Sequence, residues 1–323
     1  METMAIKLKN ANILITGGTG FIGSHLVEEL VKIGAKITTT YLSENPLSYF
    51  FQKKLDKKVS KARIDVTNYN DVFDLITKKN IEYVFHLAAQ PLVDVAYHNP
   101  SKTLSTNIMG TVNILESARH FPHIKGVIIA SSDKAYGKLS KEKYFENDRL
   151  QGDHPYEVSK SAADLIAQTY FKTYNVPLVI TRFGNIYGEG DLNFSRIIPG
   201  IMESIILRKK LLIRSNGKYV RDYLYVKDVV EGYLKLAENI EKVKGRAFNF
   251  GSQETLNVVD LIKQIEKCLK KKIDYKIMDT ARYEIPYQSL DYSLITRSIG
   301  WRPKSTIKQT SRRILSWYRS ILN

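Results

Sequence analysis

Tyr156-Glu157-Val158-Ser159-Lys160 sets a phenol and an ammonium four residues apart. On a helix that spacing is one face. A cation beside a phenol favours the phenolate, so the pair can take a proton from an alcohol. The same Tyr-x-x-x-Lys pattern recurs at Tyr49/Lys53 and Tyr223/Lys227, so spacing alone selects none of the three. A second group lies upstream in Ser131-Ser132-Asp133-Lys134-Ala135-Tyr136-Gly137. Ser132, Asp133 and Lys134 offer a hydrogen-bonding hydroxyl, an acid and a base. The bland alternative is a turn whose charges are solvated.

The elements that would position these groups can be read from the pattern of apolar residues. Ala11 to Ile15 reads as a buried strand and Ser24 to Ile33 as a helix, with Thr16-Gly17-Gly18-Thr19-Gly20-Phe21-Ile22-Gly23 between them. This is a strand, a glycine turn and a helix, the arrangement that receives a dinucleotide pyrophosphate. Gly17 permits the tight turn, Gly20 lets backbone N–H groups approach the phosphates, and Gly23 lets the helix pack closely on the strand. Lys36–Tyr41 is the second strand. The acid for the cofactor ribose belongs at its end, about 20 residues past the glycines. Thr40 and Tyr41 stand there instead, with Glu44 only in the loop beyond and no arginine following. That leans to NAD, with NADP the alternative.

The third strand ends at Arg63-Ile64-Asp65-Val66, which puts Asp65 within reach of an adenine. Asn68–Lys79 is helical. Ile81–Leu87 is a fourth strand, followed by the small residues Ala88 and Ala89, which suit a backbone passing close to a cofactor. Ser101–Arg119 is a long helix, Lys125–Ala130 a fifth strand, Tyr156–Tyr174 a helix and Pro177–Thr181 a sixth strand. Alternation over this length predicts an α/β fold with a doubly wound parallel sheet. Tyr156 alone of the three tyrosines then opens a helix that follows the fifth strand, with Asp153 and Pro155 as its start signals. Beyond Arg182 glycines and prolines crowd the chain. Leu211–Ile213 and Tyr219–Val226 read as strands around an Asn216-Gly217 turn. A smaller α/β second domain is expected, interleaved with the first: 1–183 plus about 219–246 for the cofactor, and 184–218 plus about 247–323 for the substrate.

Composition narrows the class. The chain has 323 residues and 43% hydrophobic residues, which is ordinary for a globular protein. No apolar run is long enough to span a bilayer and no signal peptide opens the chain, so no membrane role is expected. Cys268 is the only cysteine, which leaves no internal disulfide and no cysteine-based metal site. A cytoplasmic protein is expected. The net charge of +16 is spread over scattered lysines rather than one basic helix, so no nucleic-acid partner is expected, while an anionic small substrate is favoured.

Taken together, these segments resemble the extended short-chain dehydrogenase/reductase family of nucleotide-sugar enzymes. The signatures are Thr16 to Gly23, His86-Leu87-Ala88-Ala89, Thr106-Asn107, Tyr156/Lys160, Arg182 to Gly188 and Arg221 to Val226. Ser132-Asp133-Lys134 and Gln90-Pro91-Leu92-Val93 resemble the NDP-sugar 4,6-dehydratase branch, nearest the CDP-glucose 4,6-dehydratases, with GDP-sugar dehydratases related. The resemblance implies that Tyr156 takes the proton of the sugar 4-hydroxyl as hydride leaves C4. Lys134 then removes the C5 proton, with its basicity set by burial and by Lys160. Asp133 protonates the departing C6 hydroxyl, and Ser132 holds the 4-oxygen. It implies cofactor contacts at Gly17, Thr19, Gly20, Phe21, Ile22, Asp65, Val66, Leu87, Ala88, Ala89, Tyr156 and Lys160. Substrate contacts follow at Gln90, Asn107, Asn185, Asn193, Arg196, Arg214 and Arg221. It also implies a homodimer through a four-helix bundle built from the Ser101–Arg119 and Tyr156–Tyr174 helices. The rival readings are a 4-epimerase or reductase of the same family, and a non-catalytic NAD-binding scaffold.

Overall fold

The computed structural model describes residues 7–280 and 285–323. Its strands begin with β1 (Asn12–Thr16), β2 (Lys36–Tyr41), β3 (Ser60–Arg63), β4 (Tyr83–His86) and β5 (Gly126–Ala130). They continue with β6 (Lys143–Tyr144), β7 (Leu178–Phe183), β8 (Asn185–Tyr187), β9 (Leu211–Ile213) and β10 (Val220–Tyr225). The last are β11 (Ala247–Phe250), β12 (Thr255–Asn257), β13 (Tyr275–Ile277) and β14 (Tyr287–Leu290). Seven of them form one sheet in the order β11-β7-β5-β4-β1-β2-β3. Every pairing in it is parallel.

A parallel sheet is covered on both faces, so its central strands β1, β4 and β5 are largely apolar and buried, while the edge strand β3 is mostly exposed. Side chains alternate across the sheet. Ile13 and Ile15 pack with Leu26, Val27 and Leu30 of the Phe21–Ile33 helix and with Val229 and Tyr233 of the Val226–Glu238 helix. Leu14, Val84 and Val127 point the other way, to Val72, Ile114 and Leu115 and to Ala167. This is the doubly wound arrangement predicted from the sequence. The strand order reverses between β1 and β4, and the crevice at their carboxyl ends is where such sheets bind ligands.

The smaller part holds a five-stranded sheet, β12-β10-β14-β6 with β8 also on β10, and a β9/β13 pair. Two boundaries differ from the sequence expectation. The Ala247–Phe250 strand, expected in the second domain, is the outer strand of the large sheet beside β7. The Val220–Tyr225 strand, expected in the first, belongs to the smaller sheet. The strands flanking Asn216-Gly217 do not form a hairpin. Gly217 takes a left-handed turn at φ 77°, but β9 pairs in parallel with β13, because Leu211 and Ile213 are drawn into the core with Ile201, Ile262 and Ile273.

The helix expected over 101–119 is interrupted. Pro100–Leu104 runs into a π-helical turn, Ser105–Met109, and then Gly110–His120. At the Pro155–Tyr174 helix the N-cap is His154, whose ring accepts from the Tyr156 N–H, rather than Asp153. No described helix is long and apolar enough to cross a membrane.

Candidate active site

The glycine turn closes on itself. Gly17 sits at φ 69°, where only glycine is unstrained, and a Cβ there would lie 3.1 Å from the Ala88 backbone. Gly20 is the N-cap of the Phe21–Ile33 helix and supplies no side-chain cap, so no capping side chain takes the first-turn N–H donors. Gly23 packs on the turn itself rather than on the strand, since a Cβ would meet the Gly17 carbonyl at 2.4 Å. Gly18, which the spacing rule passes over, is equally constrained: a Cβ would strike the Thr39 hydroxyl of β2 at 2.1 Å. Thr19 lies half-buried beside them.

The ends of β1 and β4 are tied by one hydroxyl. Thr16 Oγ1 accepts from the Leu87 and Ala88 N–H groups, each at 3.1 Å, and lies 2.8 Å from His86 Nδ1. Its lone pairs are engaged, so its proton goes to Nδ1 and the imidazole proton sits on Nε2. Burial, helped by the nearby Lys160 charge, pushes the His86 pKa down to about 3, so the ring is neutral. Leu87, Ala88 and Ala89 are thereby held half-exposed at the crevice. Asp65 is exposed just past β3, with Oδ1 accepting from Thr67. Val66 is buried and its carbonyl accepts from Asn113.

The carboxyl end of β5 carries the chemical group. Ser132 Oγ donates to Asp133 Oδ1 at 3.0 Å and accepts from the Lys134 N–H at 3.1 Å. Lys134 Nζ stands 3.3 Å from Asp133 Oδ2. Asp133 is 4% exposed. Burial lowers the Lys134 pKa, Asp133 opposes that, and the Arg221 cation adds to it. The second cation acting on Lys134 is thus Arg221 and not Lys160.

Tyr156 and Lys160 lie one turn apart in the Pro155–Tyr174 helix, 9% and 8% exposed. The Tyr156 pKa is not lowered, as the pairing with Lys160 predicts, but raised. Burial and then the Asp133 charge push the Tyr156 pKa up to about 12, opposed by a hydrogen bond to Ser132 and by Arg196. Lys160 instead donates to the Ala130 carbonyl at 2.9 Å, and burial lowers its pKa to about 8. The structure therefore links Tyr156 to Ser132, Asp133 and Arg196, and Lys134 to Asp133 and Arg221, at the carboxyl end of β5. The other two Tyr-x-x-x-Lys pairs are elsewhere: Tyr49 stacks on His25 and donates to Glu28, and Tyr223 is buried in the smaller sheet.

Six of the seven predicted substrate residues have side-chain partners within the protein. Asn107, on the π-helical turn and 2% exposed, clamps the Gln90 backbone from both sides and donates to Ser159. All its polar atoms are engaged within the protein, so it holds the Gln90 loop in place. Gln90 folds its own side chain onto Leu92. Asn193 accepts from Ser195. Asn185 is exposed on β8 opposite Tyr223. Arg196 reaches Asp191 at 3.1 Å. Arg214 reaches across to Asp94 on the Val93–His98 helix at 2.8 Å. Arg221, 8% exposed, donates to the Val220 carbonyl.

Two features escaped the sequence reading. Behind the site, Arg182 forms a bidentate pair with Asp164, both arms at 2.8 Å, and also donates to Tyr136. Ser131 donates to the same carboxylate, so the base of the β5 turn is fixed to the Pro155–Tyr174 helix. Gln288 on β14 reaches Lys134 and Asp133 from the smaller sheet.

The family model of GDP-mannose 4,6 dehydratase matches residues 14–314. The CDP-glucose 4,6-dehydratase of Salmonella typhimurium is 31% identical over 95% of this chain and 90% of its own. Among solved structures, the dTDP-glucose 4,6-dehydratase of Bacillus anthracis in complex with NAD superposes with a TM-score of 0.83. It is 27% identical and covers 96% of this chain and 97% of its own. The UDP-glucose 4-epimerase of Thermotoga maritima with UDP-glucose has a TM-score of 0.86, also at 27% identity, covering 97% of this chain and 100% of its own. The family model spans nearly the whole chain, crevice included: the chain belongs to the GDP-mannose 4,6 dehydratase family.

Proposed function

We propose that this protein is a cytoplasmic NAD-dependent NDP-hexose 4,6-dehydratase. Its substrate is CDP-glucose or a GDP-sugar such as GDP-N-acetylglucosamine, converted to the 4-keto-6-deoxy sugar. The observation that carries the reading is the Asp133–Lys134 pair in one cleft with Tyr156. Oxidation at C4 needs only the tyrosine side of the cleft. A loss of water across C5 and C6 needs an acid and a base in addition.

The glycine turn fits the cofactor. Its helix start is uncapped, and side chains at Gly17 or Gly23 would strike the Ala88 backbone or the Gly17 carbonyl and force the turn open. Gly17, Thr19, Gly20, Phe21 and Ile22 would hold the diphosphate, Asp65 and Val66 the adenosine end, and Leu87, Ala88, Ala89, Tyr156 and Lys160 the nicotinamide end. NAD bound there would supply the hydride acceptor for C4 and, once reduced, the hydride donor for C6. Tyr156 removes the 4-hydroxyl proton while Ser132 holds that oxygen. The 4-ketone then acidifies C5–H. Lys134 takes this proton, and Asp133 delivers one to the C6 hydroxyl, which leaves as water. Arg196, Arg214 and Arg221, with Asn185 and Asn193, face the nucleotide diphosphate, where a planar fork of donors suits the phosphates. On this reading the large sheet carries the cofactor and the smaller sheets the nucleotide sugar.

The protein works as a homodimer. Val158, Leu165 and Met109 stand exposed on the two long helices, an apolar stripe that a second copy would cover.

The test is incubation with NAD and a panel of CDP-, GDP-, UDP- and dTDP-sugars, read by mass spectrometry. A product lighter by one water is expected from one of them. An isomer of unchanged mass would instead support the 4-epimerase reading, which the likeness to the Thermotoga maritima enzyme favours.

A further inference from the structure

Gln288 lies on β14, 154 residues from Lys134, and is 1% exposed. Its carboxamide spans two partners. Nε2 donates to the Asp133 carbonyl at 2.9 Å, and Oε1 accepts from Lys134 Nζ. A backbone carbonyl can only accept, so the amide nitrogen must face it. That fixes the oxygen on the lysine side. The register places Gln288 directly beside Arg221 of β10. The smaller sheet therefore meets the β5 turn at Gln288.

We propose that Gln288 is the positioning residue of the C5 proton-transfer step, holding the Lys134 amine so that its one uncommitted direction faces the sugar. This rests on the dehydratase reading above. A lysine amine has three positions besides Cε. One N–H goes to Gln288 and a second to Asp133 Oδ2 at 3.3 Å. The third position is left for the lone pair, or for the proton it receives. Taking up a proton then needs no rotation of the side chain, and 20% of it remains accessible from the cleft.

The choice of a carboxamide has a further effect. The charged groups acting on Lys134 are Asp133 on its own turn, Arg221 on β10 and Glu157 on the Pro155–Tyr174 helix. Asp133 already favours the ammonium. A second carboxylate at 288 would favour it more, whereas a neutral oxygen orients the amine without adding charge. A leucine there would leave the Asp133 carbonyl and one lysine N–H without partners.

Two variants and two readouts test this. Competitive acetylation with acetic anhydride across a pH range, read peptide by peptide in a mass spectrometer, reports the neutral fraction of Lys134 without any turnover. In Gln288→Glu the Lys134 midpoint should rise by about one pH unit or more. Uptake of solvent deuterium at C5 of CDP-glucose, with NAD present, should fall about tenfold at neutral pH for each unit of that rise and recover as the pH is raised. In Gln288→Leu the uptake should fall at every pH, without recovery. In both, reduction of NAD by the C4 step should keep its wild-type rate. An unchanged Lys134 midpoint in Gln288→Glu with wild-type deuterium uptake would overturn the proposal. So would equal losses of the C4 step and of C5 exchange, which mark a merely structural role. If wild-type protein neither reduces NAD nor exchanges C5 with CDP-glucose, the reading of the substrate fails, while the acetylation midpoints still decide whether Gln288 governs Lys134.

Discussion

At neutral pH the Tyr156 phenol keeps its proton in this structure, because burial and Asp133 hold its pKa up at about 12. Its base role therefore depends on Ser132 and Arg196, the two groups that oppose this rise. Tyr156→Phe should lower turnover by about 10²–10⁴-fold, the usual contribution of a positioned acid or base. NAD affinity, followed by fluorescence titration, should stay near wild type, since the glycine turn is untouched. Lys134→Ala should lose elimination by a factor of the same order yet still reduce NAD on mixing with substrate. Retention of full dehydration in that variant would move the base elsewhere. These residues were legible because each belongs to a short local pattern: Tyr-x-x-x-Lys on one helix and Ser-Asp-Lys at one strand end. Gln288 was not, because nothing within several residues of it marks it. Only the packing of β14 against the β5 turn gives it a role. Asn107 was legible as special, but its hold on Gln90 and Ser159 was not, because these partners come from other elements.

Between elements, the crevice is shaped by polar ties that leave the strands' own hydrogen bonds intact. Thr16 and His86 lock the end of β1 to the end of β4, and this holds only while the imidazole is neutral. The folded His86 pKa lies at about 3, below the ordinary 6.5. Below 6.5 the unfolded chain takes up a proton that the folded chain refuses. The stability from a neutral His86 is thus fully present above pH 6.5 and is lost as the pH falls toward 3, by up to ~1.4 kcal/mol per pH unit. His25, also buried with a lowered pKa, acts in the same direction and cancels in a comparison. His86→Asn keeps an acceptor for Thr16 and removes the titration. Urea unfolding of both proteins from pH 7 downward should show a shallower loss of stability in the variant, about one proton less. Parallel pH curves would mean that His86 is solvated in the folded state. The alternation of strands and helices was readable because buried parallel strands are short apolar runs. The expected hairpin at Asn216-Gly217 failed for the complementary reason. A turn signal reports the local backbone and not the partner, and β13, some sixty residues on, takes the place beside β9.

For the molecule as a whole, the proposed function asks how an anionic ligand would meet cations on the smaller part. The excess of 49 Lys and Arg over 33 Asp and Glu draws an anionic substrate toward the cleft from outside. Inside it, the cations already have partners. Arg214, on the smaller part, is paired with Asp94, which follows β4 of the large sheet, across 120 residues of chain. Both side chains are more than half exposed, so the pair adds little to stability, about 0–1 kcal/mol. Its consequence is for binding, because a nucleotide diphosphate that uses the Arg214 guanidinium must displace the Asp94 carboxylate. Asp94→Asn should therefore leave the melting temperature nearly unchanged and tighten the binding of CDP or GDP, measured by calorimetry. Arg214→Gln should weaken it. The advantage of Asp94→Asn should shrink as salt is added, since screening already loosens an exposed pair in the wild type. If Asp94→Asn instead weakened nucleotide binding, the pair would be a bridge that helps the two parts close, and Arg214 would not be the group that meets the phosphates.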